Sequence, residues 1–425
     1  MTEATTVELT IETLGARGDG IGRLDGKPVY VPFTVPGDRV RIRLGARRGD
    51  GLTGEIDGIV ERGPNRVTPP CKHFGACGGC AVQHLDDQAY ADWKRGQLVE
   101  AFARVDIPES LIAPLVRIAP GTRRRASLGF VRTAKGTILG FARRASHELI
   151  DLIECPVLTP VLVALLPPLR IALGAALPGG AKGDAVATLT DSGVDLLIET
   201  DVRLGLDARQ TLALFADRQD LARLSLRHPK TGIEPLAKRR APVVRLGGVT
   251  VEPPPGAFLQ PSAEGEVTLA KLVVDAVAEF ATAGGKIADL YAGCGSFTLP
   301  LARTQRIHAV EGEAESLAAL ARAANQVNLN VTTESRDLAR RPLRDTELAG
   351  LTAVVFDPPR VGAASQSRAL ADKGPKLVVA VSCNPATLAR DAATLIGGGY
   401  RLARATPVDQ FLWSARLEAV AVFVR

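Results

Sequence analysis

The chain has 425 residues, with 52 Lys and Arg against 46 Asp and Glu, so its formal net charge is +6. Hydrophobic residues make up 46% and charged residues 23%, which excludes wholesale disorder. The length of the chain predicts two or three globular domains. The six cysteines are too few for a disulfide scaffold, and no basic segment followed by an apolar run begins the chain, so we expect reduced thiols in a cytoplasmic protein. The most apolar stretch, residues 158–177, contains three prolines and an arginine and is a poor membrane span.

Residues 7–60 alternate apolar and polar side chains in short runs that Gly, Asp and Pro turns separate. About five strands in this length predict a small OB-like barrel. Residues 39–44 place three arginines on one face of a strand, which predicts either a solvated surface or a face that contacts phosphates. The runs 20–32 and 35–38 resemble a TRAM domain, a small RNA-binding barrel.

Three of the cysteines, Cys71, Cys77 and Cys80, fall within ten residues, and Cys155 follows downstream. Two glycines between Cys77 and Cys80 permit the tight turn by which both thiols can face one centre. Four thiolates suit either a structural zinc ion or a [4Fe–4S] cluster, and the spacing alone does not choose between them.

The next segment, residues 110–147, has eight Lys and Arg and no Asp or Glu. Such a run predicts either a phosphate-binding surface or a solvated positive face. Residues 223–245 hold a second basic cluster, with seven Lys and Arg against Glu234. Three prolines and a glycine at 253–256 mark a boundary.

After residue 264, apolar strands alternate with helical periodicity, which predicts a doubly wound parallel sheet in an α/β domain. The candidate strands are residues 287–291, 307–310, 353–356, 377–381 and 417–424.

A Gly-x-Gly loop, residues 291–296, follows the first of these strands, where two glycines let the backbone pass close to a ligand. Glu311 ends the second strand, a position at which an acid binds ribose hydroxyls. A dehydrogenase would share both features, but nicotinamide enzymes have no use for the Asp357-Pro358-Pro359-Arg360 that ends the next strand. Together the three features resemble class I S-adenosylmethionine-dependent methyltransferases. Relatives that methylate exocyclic amines carry an aromatic residue where Arg360 stands, which argues against that reaction.

Cys383 ends the following strand and precedes a helix, whose N-terminus is expected to lower the pKa of the thiol. It is either a nucleophile or a buried apolar cysteine. Carbon 5 of uracil becomes nucleophilic after a thiolate adds to carbon 6, and a base must then remove the carbon 5 proton. Glu418, at the start of the last strand, is either that base or a surface glutamate.

With these motifs the chain resembles, over nearly its whole length, the RNA 5-methyluridine methyltransferases (TrmA/RumA-like). Within them it resembles the TRAM-domain and iron–sulfur branch that modifies 23S ribosomal RNA. The resemblance implies that Cys383 is the nucleophile and Glu418 the base. It favours a [4Fe–4S] cluster over zinc at the four cysteines Cys71, Cys77, Cys80 and Cys155. It implies a cofactor site formed by Gln260, Tyr291, Ser296, Glu311, Asp337 and Asp357.

The expected organisation is a TRAM-like barrel over residues 1–63, a central α+β iron–sulfur and RNA-binding domain over 64–262, and a methyltransferase domain over 263–425. The expected activity is S-adenosylmethionine-dependent methylation of uridine carbon 5 in 23S ribosomal RNA by a monomer, through a covalent Cys383 adduct. A transfer RNA 5-methyluridine enzyme and a non-catalytic iron–sulfur RNA-binding protein are the alternatives. Methylation of cytosine carbon 5 is a further one, although RNA cytosine enzymes usually carry two motif cysteines.

Overall fold

The structure, a computed structural model, describes residues 6–425 and begins with a small β-barrel. The barrel strands are β1 (Thr6–Leu14), β2 (Asp19–Leu24), β3 (Lys27–Pro32), β4 (Arg39–Arg48) and β5 (Gly51–Glu61). They close in the order β1-β2-β3-β5-β4. Alternate side chains such as Ile11, Val29 and Ile42 fill the interior, since successive residues of a strand face opposite sides. The predicted OB-like barrel is confirmed.

The central part combines helices with a six-stranded sheet. Its elements are α1 (Asp87–Ala103), β6 (Val116–Arg117), β7 (Arg125–Thr133), β8 (Gly136–Gly140), α2 (Pro160–Ala176), β9 (Lys182–Thr190), β10 (Gly193–Thr200), α3 (Leu206–Arg218), β11 (Arg223–His228) and β12 (Gly232–Lys238). The sheet order is β12-β11-β10-β9-β7-β8. Helices α2 and α3 cover one face of this sheet with an apolar layer that includes Leu169, Leu173 and Leu212.

A hairpin leads into the C-terminal part, formed by β13 (Val244–Leu246) and β14 (Val249–Val251). Its two-residue turn is Gly247-Gly248, with φ of +56° and +79°, the conformation that a tight hairpin turn requires. A Cβ atom on Gly247 would stand 2.6 Å from the backbone nitrogen of Pro300, so this position has no room for a side chain.

The C-terminal part is a mixed sheet between helical layers. Its elements are α4 (Ala263–Phe280), β15 (Lys286–Leu290), α5 (Thr298–Leu301), β16 (Arg306–Glu311), α6 (Ala314–Gln326), β17 (Val331–Ser335), α7 (Asp345–Leu348), β18 (Ala353–Phe356), α8 (Ala364–Lys373), β19 (Leu377–Ser382), α9 (Pro385–Gly397), β20 (Arg401–Asp409) and β21 (Glu418–Val424). The sheet order is β17-β16-β15-β18-β19-β21-β20-β6. The five strands from β17 to β19 are parallel, and β21 runs antiparallel to both of its neighbours.

Both faces of this sheet are covered, which is why its central strands are continuous apolar runs rather than alternating ones. Helix α4 packs on one face, and α8 and α9 pack on the other. Helix α1 adds Leu98 and Phe102 to the second layer, and β6 pairs with the sheet edge at β20. Two elements that precede the hairpin in sequence are thus part of the doubly wound sheet domain. The predicted fold class is confirmed.

The barrel, α1 and the C-terminal sheet domain meet in a small apolar core, which we call the junction core. Its buried members come from all three parts: Val35, Val82, Leu85, Tyr90 and Leu412. Trp93 of α1 and Trp413 of the loop between β20 and β21 pack against them. The Trp93 indole N–H donates to the carbonyl oxygen of Gly15 at 3.1 Å, which ties α1 to the barrel.

Among residues 6–425, none of the helices combines the length and the apolar composition that crossing a bilayer requires.

Candidate active site

The candidate site lies where the parallel strands end. Tyr291 follows β15, Glu311 ends β16, Asp357 follows β18 and Cys383 follows β19, so their side chains share the carboxyl edge of the sheet. Because β21 runs antiparallel to β19, its first residue lies at that same edge. Ser382 pairs with Ala419 in this register, which puts Glu418 next to Cys383. The topology thus joins two residues that stand 35 positions apart in sequence.

The glycine loop after β15 borders open space. The backbone N–H of Gly293 donates to Glu311 Oε2 at 2.9 Å, and the N–H of Glu313 donates to Glu311 Oε1 at 2.8 Å. Tyr291 adopts a φ of +62°, which turns the chain sharply at the end of the strand. A Cβ atom on Gly293 would meet nothing within 4 Å, so the loop leaves room for a ligand. These residues fit the cradle of a nucleoside cofactor.

A chain of hydrogen bonds links the candidate base to Asp357. Gln410 Nε2 donates to Glu418 Oε2 at 2.7 Å and to Gln260 Oε1 at 2.8 Å. Gln260 Nε2 in turn donates to Asp357 Oδ2 at 3.0 Å. Burial and the mutual repulsion of the two carboxylates raise the pKa of Glu418 well above its usual range. Its other oxygen, Oε1, is buried without a hydrogen-bond partner among the described residues. One carboxylate oxygen is therefore held and the other is available.

The pKa of the Cys383 thiol differs from the prediction. Burial and the charges of Glu418 and Asp357 raise its pKa to about 11, although Arg360 acts in the opposite direction. The predicted lowering of this pKa is wrong, because the thiol is partly buried; the helix N-terminus itself is capped by Asn384, whose side chain accepts a hydrogen bond from the N–H of Ala386. Burial has the largest effect on this pKa, and the carboxylates of Glu418 and Asp357 act in the same direction. In the ligand-free protein the thiol is protonated at neutral pH.

This pKa sets the chemical reactivity of the ligand-free protein. A thiol with a pKa of about 11 is ionised to about one part in a thousand at pH 8, so iodoacetamide should label Cys383 slowly. The labelling rate should rise about tenfold per pH unit above pH 8, as followed by peptide mass spectrometry. Arg360→Gln should slow labelling further, with a cysteine-containing peptide as the reference thiol. Fast labelling at pH 7 that does not change with pH would contradict this electrostatic picture.

Two predicted cofactor residues are engaged elsewhere. The Ser296 hydroxyl donates to Glu266 Oε1 at 2.7 Å, and Glu266 forms a buried ion pair with Arg124 at 2.8 Å. Asp337 is exposed, and its Oδ1 accepts hydrogen bonds from the backbone N–H groups of Ala339 and Arg340 in its own turn. Gln260, Tyr291, Glu311 and Asp357 form the cleft, whereas Ser296 and Asp337 lie at its margin with local partners.

Four arginines on the segments around Cys383 and Phe258 have no carboxylate in ion-pair contact within residues 6–425: Arg123, Arg125, Arg360 and Arg416. Burial and the charges of Arg360 and Arg123 lower the pKa of Arg416, so three of these guanidinium groups converge. Arg125 lies 6.0 Å from the ring centre of Phe258, which is exposed beside it. Sequence reasoning missed the parts that Arg416 and Gln410 play. Each stands at the same sheet edge as Glu418, and only the position of β20 reveals it.

The other predicted basic surfaces are largely neutralised. Within residues 110–147, four of the eight basic side chains pair with carboxylates: Arg117, Arg124, Arg143 and Arg144. Arg39, Arg41 and Arg43 of β4 pair with glutamates on the adjacent barrel strands. In the cluster at 223–245, most cations likewise have acidic partners. The phosphate-contacting alternative is therefore weakest for the barrel strand and strongest at the cleft.

The four predicted ligand cysteines, Cys71, Cys77, Cys80 and Cys155, lie near one another. Burial raises the pKa of Cys80 to about 12, and the charges of Cys155, Cys77 and Cys71 act on it in the same direction. The N–H of Gly79 donates to Cys77 Sγ at 3.4 Å, a bond that stabilises a thiolate ligand. In the part of the chain described, no three or more His, Cys, Asp or Glu side chains form a group that could hold a single metal ion.

The doubly wound sheet, the glycine loop and the Asp-Pro-Pro turn at the strand ends define a class I methyltransferase. A family model described as tRNA (Uracil-5-)-methyltransferase matches residues 249–425, and a TRAM domain model matches residues 2–56. The chain belongs to the RNA (uracil-5-)-methyltransferase family. The family resemblance and the TRAM resemblance of the sequence are thereby confirmed.

The similarity to known proteins extends over the whole chain. An uncharacterized RNA methyltransferase of Brucella suis is 44% identical, in an alignment that covers 100% of this chain and 99% of the relative. The 23S rRNA (uracil(1939)-C(5))-methyltransferase RlmD of Chromohalobacter salexigens is 36% identical, over 100% of this chain and 90% of the relative. The crystal structure of the tRNA (uracil-54, C5)-methyltransferase of Pyrococcus abyssi with S-adenosyl-L-homocysteine has a TM-score of 0.76 at 23% identity. It covers 98% of this chain and 100% of that one, and shows the shared fold.

Proposed function

We propose that this enzyme methylates carbon 5 of a uridine in 23S ribosomal RNA through a covalent adduct between Cys383 and carbon 6 of the base. The observation that carries the proposal is the position of Cys383 beside Glu418 and Asp357 at the open carboxyl edge of the sheet. The full-length similarity to the Chromohalobacter relative supports ribosomal RNA as the substrate.

Cys383 acts first. Bound S-adenosylmethionine supplies an electrophilic methyl group and a fixed positive charge. Cys383 first gives its thiol proton to solvent at the open edge of the sheet. Addition of the resulting thiolate to carbon 6 moves electrons onto the ring, and carbon 5 becomes nucleophilic toward the methyl group. Arg360 favours the thiolate and counters the two carboxylates that hold the thiol protonated in the free protein. The target uridine must leave its stack to reach this edge, and the unpaired arginines of the cleft would hold its flanking phosphates.

Glu418 acts second. After methyl transfer, carbon 5 carries both a methyl group and a proton, and the free Oε1 of Glu418 would accept that proton. The electrons of the broken C–H bond then restore the ring double bond and expel the Cys383 thiolate. A raised pKa makes Glu418 a stronger base than an exposed carboxylate. Its bond from Gln410 keeps the second oxygen in place.

Glu311, Tyr291 and Asp357 would hold the cofactor, with Gln260 supporting Asp357. Glu311 suits ribose hydroxyls because both of its oxygens are oriented by backbone N–H groups. Ser296 and Asp337 would contribute after exchanging their present partners. The barrel and the central six-stranded sheet would place RNA over the doubly wound sheet domain, to which α1 and β6 also belong, with the protein acting as a monomer.

Cys71, Cys77, Cys80 and Cys155 would bind a [4Fe–4S] cluster. Support comes from the electrostatic effect that the thiols exert on one another and from the Gly79 N–H that points at Cys77. Arg123 lies near Cys80 and Cys155, where a cation would stabilise thiolates. The cluster would organise the RNA-binding domain, since methyl transfer requires no redox step.

Metal analysis of anaerobically purified protein tests the cluster. We expect iron and sulfide in about equal amounts, about four of each per chain, and a broad visible absorbance that oxidation bleaches. Cys77→Ser should lose the iron, whereas Cys294→Ala should retain it because Cys294 lies at the glycine loop. A colourless protein with one zinc ion per chain would contradict the cluster and support the alternative metal.

Mapping of 5-methyluridine in total RNA from cells that lack the protein tests the substrate. We expect loss at a 23S position and recovery when the wild-type gene, but not its Cys383→Ala variant, is restored. Loss in transfer RNA instead would identify the alternative substrate. If labelled cofactor transfers no methyl group to any cellular RNA, a non-catalytic RNA-binding role gains support.

A further inference from the structure

A buried ion pair outside the cleft joins helix α1 to the segment that carries the base. Lys94 Nζ lies 2.9 Å from Asp409 Oδ1, and neither side chain has any exposed surface. The hydroxyl of Tyr90 donates to the other oxygen of Asp409 at 2.5 Å. Asp409 ends β20 and Glu418 begins β21, so this pair anchors the start of the loop formed by residues 410–417, which we call the base loop.

The same ammonium group also holds both ends of the base loop. Lys94 Nζ donates to the carbonyl oxygen of Phe411 at 3.0 Å and to the carbonyl oxygen of Arg416. Two of the three N–H donors of the ammonium group thus go to backbone carbonyl oxygens, and the Asp409 carboxylate is its ion-pair partner. Arg416 stands two residues before Glu418, so Lys94 fixes the backbone that leads directly into the base.

Further contacts hold the middle of the base loop. The N–H of Trp413 donates to the Tyr90 hydroxyl at 2.8 Å. The carbonyl oxygen of Trp413 accepts hydrogen bonds from the N–H groups of Ala81 and Val82, at 2.7 and 3.2 Å. Trp413 itself has a φ of +57°, a conformation that the surroundings must impose on a bulky residue. The base loop therefore takes its shape from residues 81–94, which lie outside the strands and helices that follow the hairpin.

Burying the Lys94–Asp409 ion pair has a desolvation cost, so its presence favours a role in fixing the geometry of the base loop. Burial lowers the pKa of Lys94, and the nearby Asp409 carboxylate offsets only part of that effect. A buried ion pair contributes less to stability than a well-packed apolar pair of similar volume. The base needs accurate placement because, within residues 6–425, the Glu418 side chain has a single hydrogen bond, from Gln410, and Gln410 also belongs to the base loop.

We propose that Lys94 is a positioning residue for Glu418, which it aims at carbon 5 through the base loop. The inference rests on the proposed function, since it assigns Lys94 to the step in which Glu418 removes the proton. Lys94 touches neither the base nor the nucleophile. It acts through the backbone at Phe411 and Arg416, so the first chemical step, at Cys383, should not need it.

Lys94→Met tests this role, since methionine keeps an unbranched chain but lacks all three donors. In single-turnover assays, covalent capture and methyl transfer should stay within about threefold of wild type, while release of methylated RNA should slow by about tenfold to a hundredfold. The covalent protein–RNA species should accumulate on denaturing gels. Lys271→Met is the matched control, because Lys271 pairs with Asp275 on the exposed face of α4, and it should leave both steps unchanged.

A double variant covers the case in which the single one does not fold. Lys94→Met leaves the Asp409 carboxylate buried and unpaired, which is strongly destabilising. Lys94→Met/Asp409→Asn removes that charge, keeps a polar partner for Tyr90 and still lacks the donors to the base loop. It should show the same selective slowing of release. Asp409→Asn alone keeps the Lys94 donors and should slow release less.

The outcomes separate the inference from the function beneath it. Equal losses of capture and release in the folded variants would make Lys94 a structural residue only, and unchanged release would show that the base loop needs no clamp. Either result overturns the inference while the covalent mechanism stands. If neither wild type nor Glu418→Gln forms a covalent species, the covalent mechanism is wrong and the inference falls with it.

Discussion

Glu418→Gln should trap the enzyme on its RNA. Glutamine keeps the shape of the side chain and can still accept the hydrogen bond from Gln410, but it cannot take the carbon 5 proton. Attack by Cys383 and methyl transfer do not require the carboxylate, so the adduct should form and become methylated. Removing a general base should slow elimination by about a hundredfold or more.

A denaturing gel with labelled RNA reads this result directly. A slow-migrating band should appear with Glu418→Gln and carry the methyl label from the cofactor. Glu279→Gln, which removes an exposed carboxylate paired with Arg404 on the same domain, should behave like wild type. Normal turnover by Glu418→Gln would mean that another group is the base. The neighbouring Asp357 would then be the next candidate.

Cys383→Ala should abolish both methylation and covalent capture. Without the thiol nothing adds to carbon 6, and carbon 5 stays too weak a nucleophile to attack the methyl group. Turnover should fall by about 10⁴-fold or more, as for removal of other enzymatic nucleophiles. The thiol is neutral in the free protein, so its removal leaves no unpaired charge and the fold should not suffer.

Binding measurements distinguish a lost nucleophile from a lost site. Affinity for S-adenosylmethionine and for RNA should remain within about threefold of wild type, because the cradle at Glu311 and the arginines of the cleft are untouched. Cys383→Ser should be almost as inactive, since a hydroxyl is a far weaker nucleophile than a thiol. Methylation by Cys383→Ala at a rate near that of wild type would refute the covalent mechanism.

The strand ends that carry the site could be predicted because apolar runs followed by short polar motifs mark them. Asp357 and Cys383 each follow such a run, and the carboxyl edge of a parallel sheet collects the residues that follow its strands. The contact between Cys383 and Glu418 could not be predicted from strand order in the sequence. It depends on the insertion of β21 between β19 and β20, and β20 itself escaped prediction because charged residues and Pro407 interrupt its apolar pattern.

Charge was harder to predict than topology. The basic run at residues 110–147 suggested one RNA-binding surface, but its charges find partners far away in sequence. Arg144 pairs with Asp19 of the barrel and Arg124 with Glu266 of α4. The pKa of Cys383 illustrates the same limit, because the helix that follows it is visible in sequence and the carboxylates that face it are not. Local charge counts omit the partners that folding brings near.

The junction core has an optical consequence. The chain has two tryptophans, and both of them, Trp93 and Trp413, pack there. Selective excitation of indole therefore observes a single place in this protein, the meeting point of barrel, α1 and base loop. A change in emission wavelength on RNA binding would report the rearrangement of that junction in real time and without an added label.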